Sequence, residues 1–294
     1  MKVAGSSSSD TALVPSLEPF RIEKGSSDID LRVDWTRSLA PIQRRELFDS
    51  GSSWRLFEDA AGFQFDFNDT MFGRGAYKRL IVDRRFCCAT LQMSEQFFAG
   101  FPLAPAPLCY PLDELLIMHR LTQERAIELH GVGIVGPDGA SNLFIGHSGA
   151  GKSTTARLWT SLHDVEILSD DRIIVREDKV REDMVREDKA SEDATQIFMY
   201  GTPWHGEAAF ALPDRAPLQR IFILEHGCGN VITRLSRSQT VAELFARSFV
   251  PFHRHEYVDS ALSFLERIAD SVPCYRYAFE PDERAVDRIL NFHD

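Results

Sequence analysis

The stretch 143–159, LFIGHSGAGKSTTARLW, constrains this chain more than any other. Leu143, Phe144 and Ile145 form an apolar run that reads as a buried strand. Residues 146–153, GHSGAGKS, then match G-x-x-x-x-G-K-[ST] at every fixed position. Thr154, Ala156, Leu158 and Trp159 continue in residue types that a helix accepts. Strand, glycine loop and helix in that order are the context the motif requires, and they predict an α/β fold.

Chemistry explains the spacing. Gly146, Gly149 and Gly151 let the backbone turn sharply and approach a polyphosphate. The loop N–H groups, those of His147, Ser148, Ala150 and Thr154 among them, then converge on phosphate oxygens, with the positive end of the following helix behind them. Lys152 reaches the β- and γ-phosphates in such a loop, and the Ser153 hydroxyl ligates Mg²⁺. A merely glycine-rich turn is the competing reading, and the adjacent Lys and Ser count against it.

Composition limits the partners. A chain of 294 residues has ample length for a core, as one large domain or two smaller ones. Its net charge of −11 argues against nucleic acid, which selects a basic surface. No apolar run approaches membrane-spanning length, and the start, MKVAGSSSSDTAL, has no signal-peptide apolar core, so a cytoplasmic protein is expected. The five cysteines, Cys87, Cys88, Cys109, Cys228 and Cys274, are odd in number and form no C-x-x-C, which suits reduced thiols. Cys87 and Cys88 read as small packing residues in a strand.

Residues 1–18 are Ser-rich at first and read as a disordered tail. From 19 to 101 the chain reads as a small β-rich module, with a hairpin over 54–67 and a strand pair over 77–93. Residues 39–47 read as a short helix. Residues 102–111 are Pro-rich and read as a linker, and 112–294 as the main domain. Leu112, Leu115, Leu116, Met118 and Leu121 are near helical spacing, with His119 expected on the helix surface. Residues 127–135 read as a strand that carries His130; 136–139, GPDG, are a turn, so the phosphate-loop strand is the second arm of a hairpin.

After the loop helix, 165–175 form an apolar strand broken by Asp170 and Asp171. Adjacent carboxylates in such a run are costly unless a cation or donors satisfy them. A phosphotransferase needs such a pair, one acid at the metal and one for the acceptor's hydroxyl proton. Neighbouring strand residues face opposite ways, so both serve one site only where the strand ends or bulges. The competing reading is a polar turn. VREDK, VREDM and VREDK then repeat from Val175; 175–195 read as an expanded charged loop, the period being too short for a solenoid, whose units start near roughly 20 residues. Trp204, His205 and Glu207 are candidates for the rim of a site. His226 with Cys228, and His253 with His255, lack the spacing of a zinc site and read as structural.

His130-Gly131-Val132, the turn, GHSGAGKS and LSDDRIIV resemble in order and spacing the catalytic domain of HPr kinase/phosphorylase, which shares its core with ATP-dependent phosphoenolpyruvate carboxykinase. The resemblance covers roughly residues 112–225. It implies a P-loop kinase core with a mixed sheet and flanking helices, behind the β-rich module. It implies a serine kinase that uses ATP and Mg²⁺ on a peptide or protein acceptor, and a homo-oligomer, a hexamer in that family. Carried over, residues 146–154 bind the nucleotide. His130, Lys152 and Asp170 are catalytic, with Asp170 as the base, and Ser153 and Asp171 lie on the metal side. Thr154 stands where the family has Glu. The chain is also similar to the divergent HPr-kinase-like proteins that accompany peptide natural-product clusters, which implies a small peptide serine as acceptor. A nucleotide-binding regulator without turnover is the alternative, motivated by Thr154; a plain ATPase motor is disfavoured by the lack of a visible arginine finger.

Overall fold

The computed structural model describes residues 1–5, 12–72, 75–98, 106–162, 164–179 and 195–293. The chain divides into two compact units, Met1–Gln123 and Glu124–Asp294. Both are mixed α/β, each built on a mixed sheet and dominated by strands. No helix among the described residues is long and apolar enough to cross a membrane.

The first unit holds β1 (Lys2–Ala4), β2 (Asp30–Thr36), β3 (Arg45–Asp49), β4 (Trp54–Glu58), β5 (Gly62–Asn68), β6 (Ala76–Asp83), β7 (Cys88–Ser94), α1 (Glu95–Phe98) and α2 (Leu112–Leu121). Its sheet runs β1-β2-β7-β6-β5-β4-β3. The β1–β2 and β2–β7 pairs are parallel and the rest antiparallel. Alternation along β5 explains its central place. Phe63, Phe65 and Phe67 take one face, and Gln64 and Asp66 the other, and all five are buried. On the polar face Arg79 grips Asp66 through Nε (2.6 Å) and Nη2 (2.7 Å), and its Nη1 donates to the Ala40 carbonyl (2.8 Å).

That last bond explains one departure from expectation. Residues 39–47 do not form a helix: Arg45–Asp49 is strand β3, paired with β4, and the irregular chain before it presents the Ala40 carbonyl to Arg79. His119 is not on the helix surface but 1% exposed, its Nδ1 2.7 Å from the Leu115 carbonyl and its ring against Phe65 and Phe86. Residues 112, 115, 116 and 119 follow i, i+3, i+4, i+7, so His119 belongs to the apolar stripe. Cys87 and Cys88 do not pack a core either. They leave the turn between β6 and β7 half-buried and exposed, with both N–H groups on Asp83 Oδ1. Within the expected tail, Lys2–Ala4 is a strand beside β2, while 6–11 lie outside the described residues. So do 102–105 of the Pro-rich stretch; of the remainder, Leu108 is buried and bridged to Leu13.

The second unit holds β8 (Ala126–Val135), β9 (Ser141–Ile145), α3 (Lys152–Leu162), β10 (Glu166–Ser169), β11 (Arg172–Lys179), β12 (Thr195–Tyr200), β13 (Arg215–Pro217), β14 (Arg220–His226), β15 (Val231–Arg234), α4 (Arg237–Phe245), β16 (Ser248–Phe249), α5 (His255–Ser271), β17 (Cys274–Phe279) and α6 (Glu283–Leu290). The sheet order is β13-β12-β11-β8-β9-β14-β17-β15, with β10 and β16 also paired to β8. The core of this sheet, β9-β14-β17, is parallel. Leu143 and Ile145 point to one face with Ile221 and Ile223, where α4 and α5 supply Leu244, Phe264, Leu265 and Ile268. Phe144 points to the other with Phe222 and Tyr277, where α3 and α6 supply Trp159, Val286 and Ile289. Period-2 alternation in a strand covered on both faces reads as a continuous apolar run, as it does here.

The first copy of the charged repeat is strand, not loop. Val175–Lys179 prolongs β11 and pairs with β12. Glu177 takes Arg125 (2.6 Å) and Arg267 (3.0 Å), and Asp178 takes the Tyr200 hydroxyl (2.8 Å), so its charges are matched by distant partners that composition does not reveal. The later copies, 180–189, lie outside the described residues.

Candidate phosphate-binding and transfer site

The glycine loop leaves β9 at Ile145 and enters α3 at Lys152. Gly149 and Gly151 have φ of +80° and +101°, where side chains are strained. At Gly151 space forbids one too, since a Cβ would lie 2.4 Å from the Phe279 ring. Ala150 N donates to the His147 carbonyl (3.1 Å) and Thr155 N to that of Gly151 (2.8 Å), which leaves His147, Ser148 and Gly149 exposed at the tip. Ser153 and Thr154 are half-exposed in the first turn of α3.

Lys152 is only 7% exposed and folds back on the loop, its Nζ donating to the carbonyls of Gly146 (3.0 Å) and His147 (3.1 Å). Burial pushes its ammonium down to about 8. The charge of Asp171 opposes that shift, while those of Arg172 and Arg247 add to it.

The expected hairpin of β8 and β9 is present, with Gly131 opposite Ile145. Strands β10 and β11 share the other side of β8: Ser169 stands opposite Gly133 and Arg172 opposite His130. Asp170 and Asp171 interrupt the strand between them, just past a bulge between Ile167 and Ser169. The interruption separates the two acids. Asp171 Oδ1 lies 2.9 Å from His130 Nε2, and its other oxygen takes Arg172. Burial raises the Asp171 carboxyl, but the bond from His130 and the charges of Arg172, His130 and Lys152 outweigh it and hold the group below the usual range.

Asp170 is 1% exposed. Its Oδ1 accepts from the N–H of Gly206 (3.0 Å) and Phe210 (3.2 Å), and its Oδ2 from that of Ala208 (2.9 Å). It therefore staples the loop after β12, where Trp204 is half-exposed and His205 and Glu207 are exposed. Of the residues expected to act, the fold brings His130, Asp171 and Lys152 into one electrostatic neighbourhood; the charge of Asp170 reaches Lys152 as well, but its oxygens are turned to the backbone N–H groups of 206–210.

Three further residues belong to this neighbourhood. The Arg247 carbonyl accepts from His130 N (2.9 Å), and its buried guanidinium is held on Glu243. Arg172 pairs with buried Glu128 (3.3 Å) and covers the Phe249 ring at 4.1 Å. His226, at the end of β14, donates from Nε2 to the Gly149 carbonyl (2.8 Å). Arg172 follows the Asp pair directly and could have been suspected from the sequence; Arg247 and His226 sit in no motif. Among the described residues no three of His, Cys, Asp and Glu come together as a metal cage. No protein-family model matches the chain, and no curated protein matches it in sequence.

Proposed function

We propose that the second unit is an ATP- and Mg²⁺-dependent phosphotransferase with a P-loop kinase core, acting on a hydroxyl, serine by the resemblance drawn above, of a peptide or protein. The observation that carries the reading is the meeting of a glycine loop, whose lysine is buried on its own carbonyls, with the His130–Asp171 pair, whose charge reaches that lysine.

The glycine loop with its exposed tip supports a nucleotide: loop amides at 146–153 would meet phosphate oxygens, and Lys152 would join them on leaving the carbonyls of Gly146 and His147. The donor set, one hydroxyl and nearby carboxylates, suits a hard cation that keeps most of its ligands as water and phosphate, so no cage is required. Ser153 would hold the metal, which would supply positive charge to the phosphates when bound.

Asp171 is the better base of the two acids, because it is partly open to solvent and held only by the side chains of His130 and Arg172, whereas buried Asp170 is fixed by three backbone N–H groups. The acceptor's hydroxyl would lie against Asp171 and pass its proton there, with His130 fixing the carboxylate. Arg172 and Arg247 add positive charge where the transferred group passes. A second reading, a nucleotide-binding regulator without turnover, is favoured by Thr154, which leaves the first turn of α3 without an acid.

The test is phosphotransfer read by intact mass, with ATP, Mg²⁺ and HPr, serine peptides or free serine, against Lys152→Ala. A Lys152-dependent gain of one phosphate on an acceptor supports the kinase. Nucleotide binding with no transfer to any of them supports the regulator.

A further inference from the structure

The phosphotransfer reading uses nothing in the first unit, yet that unit buries a nucleophile. Lys78 on β6 is 0% exposed. Its Nζ lies 3.2 Å from Cys109 Sγ and 3.4 Å from the Pro107 carbonyl, with the rings of Phe67 and Tyr77 at 5.1 and 5.5 Å. A lysine with no solvent and such soft neighbours is poorly served as an ammonium, and burial lowers its proton affinity despite the nearby charges of Cys109 and Asp113. Cys109 is half-buried beside Tyr110, which is 67% exposed, so a small oxidant in solution has a path to the sulfur.

We propose that Lys78 and Cys109 are a redox-sensitive modification site, closing to an Nζ–Sγ sulfenamide when hydrogen peroxide reaches Cys109. The thiol sulfur attacks one peroxide oxygen; the S–O bond forms, the O–O bond breaks, and the departing hydroxide leaves as water with the thiol proton. The sulfur is then a sulfenic acid and electrophilic. The Lys78 amine, in the unprotonated form that burial favours and already at attack distance, forms the N–S bond as the S–O bond breaks. Hydroxide departs and takes one amine proton as a second water. Sulfur is oxidised by two electrons and peroxide reduced by two, with no other reactant. A thiol reductant cleaves the bond and restores both side chains. The link ties the segment that carries Cys109 to β6 across 31 residues of chain.

The experiment is peroxide treatment of the full native chain, followed by proteolysis and mass mapping with and without reductant. Expected is a species joining the peptides of Lys78 and Cys109, two hydrogens lighter than their sum. It should vanish on reduction and fall to background when the chain is unfolded in urea before oxidation. Cys109→Ser and Lys78→Arg should each remove it. Exposed Cys88 and Cys228 report general thiol reactivity in the same digest. Cys109 recovered as sulfinic acid, or in a disulfide, with Lys78 unmodified would overturn the proposal, and this rests on the wild-type digest even if the Lys78 variant fails to fold.

Discussion

His130 Nε2 and Asp171 Oδ1 stand 2.9 Å apart, and the adjacent Asp170 instead gives both carboxylate oxygens to the backbone at 206–210. One dipeptide thus supplies a side chain aimed into the neighbourhood of Lys152 and another that builds the wall beside it. Asp171→Asn is expected to lower phosphotransfer by on the order of 10²–10⁴-fold with nucleotide affinity retained. Asp170→Ala should instead destabilise the fold by roughly 3 kcal/mol, by orphaning three N–H groups. Single-turnover transfer and chemical denaturation of both variants separate the roles; a stable Asp170→Ala protein that binds nucleotide but transfers nothing would return the base to Asp170.

Nucleotide affinity should fall with alkali. Burial holds Lys152 at about 8 in the free protein, below the ordinary lysine value of 10.5. Above that point the amine must take up a proton from solvent before it can meet a phosphate as an ammonium, which weakens affinity by up to about tenfold per pH unit. Folding stability moves the other way across the same window, because the unfolded chain keeps this proton until about 10.5 and the folded chain releases it earlier. Titration calorimetry from pH 7 to 10, against Lys152→Arg, checks the affinity; a flat profile in the wild type sinks the prediction.

His226 holds the Gly149 carbonyl at 2.8 Å, and its ring lies against Phe279, which itself fills the space beside Gly151. Loss of that bond in His226→Ala should weaken nucleotide binding by about three- to tenfold, the worth of one net hydrogen bond. His226→Gln, which keeps a donor, should recover part of it. Equal affinities in wild type and His226→Ala would show that the loop is held without this contact.

The buried Asp66–Arg79 pair offers a test confined to the first unit. Asp66→Asn leaves a guanidinium without its anion at a site where the partners are 1% and 6% exposed on their side chains, and should cost about 3–5 kcal/mol. Replacing both with apolar residues should recover much of that loss. The comparison is one of urea midpoints, and a single variant as stable as the double would contradict it.

How much of this was legible in the sequence follows from the range of each interaction. The hairpin of β8 and β9, the glycine loop and α3 fall where alternation, turn chemistry and helical spacing place them. Those signals are local: a strand covered on both faces reads as an apolar run whatever its neighbours. Residues 39–47 went astray because their conformation answers to Arg79, on a strand far along the chain. His119 was legible and misread, since its spacing already put it on the buried stripe.

The sequence by itself determined that a glycine loop between strand and helix exists, that a pair of acids interrupts a later strand, and that the chain before both is rich in β structure. Only the tertiary structure decided what each acid contacts. His130 and Asp171 are 41 residues apart, and they meet through strand register. The bulge between Ile167 and Ser169 shifts that register by one residue, and a one-residue shift exchanges the faces of a strand. Arg247 and His226 enter the neighbourhood by the same route, through a backbone bond to His130 and a side-chain bond to Gly149. Periodicity records which face of an element is buried; it does not record which distant element covers it.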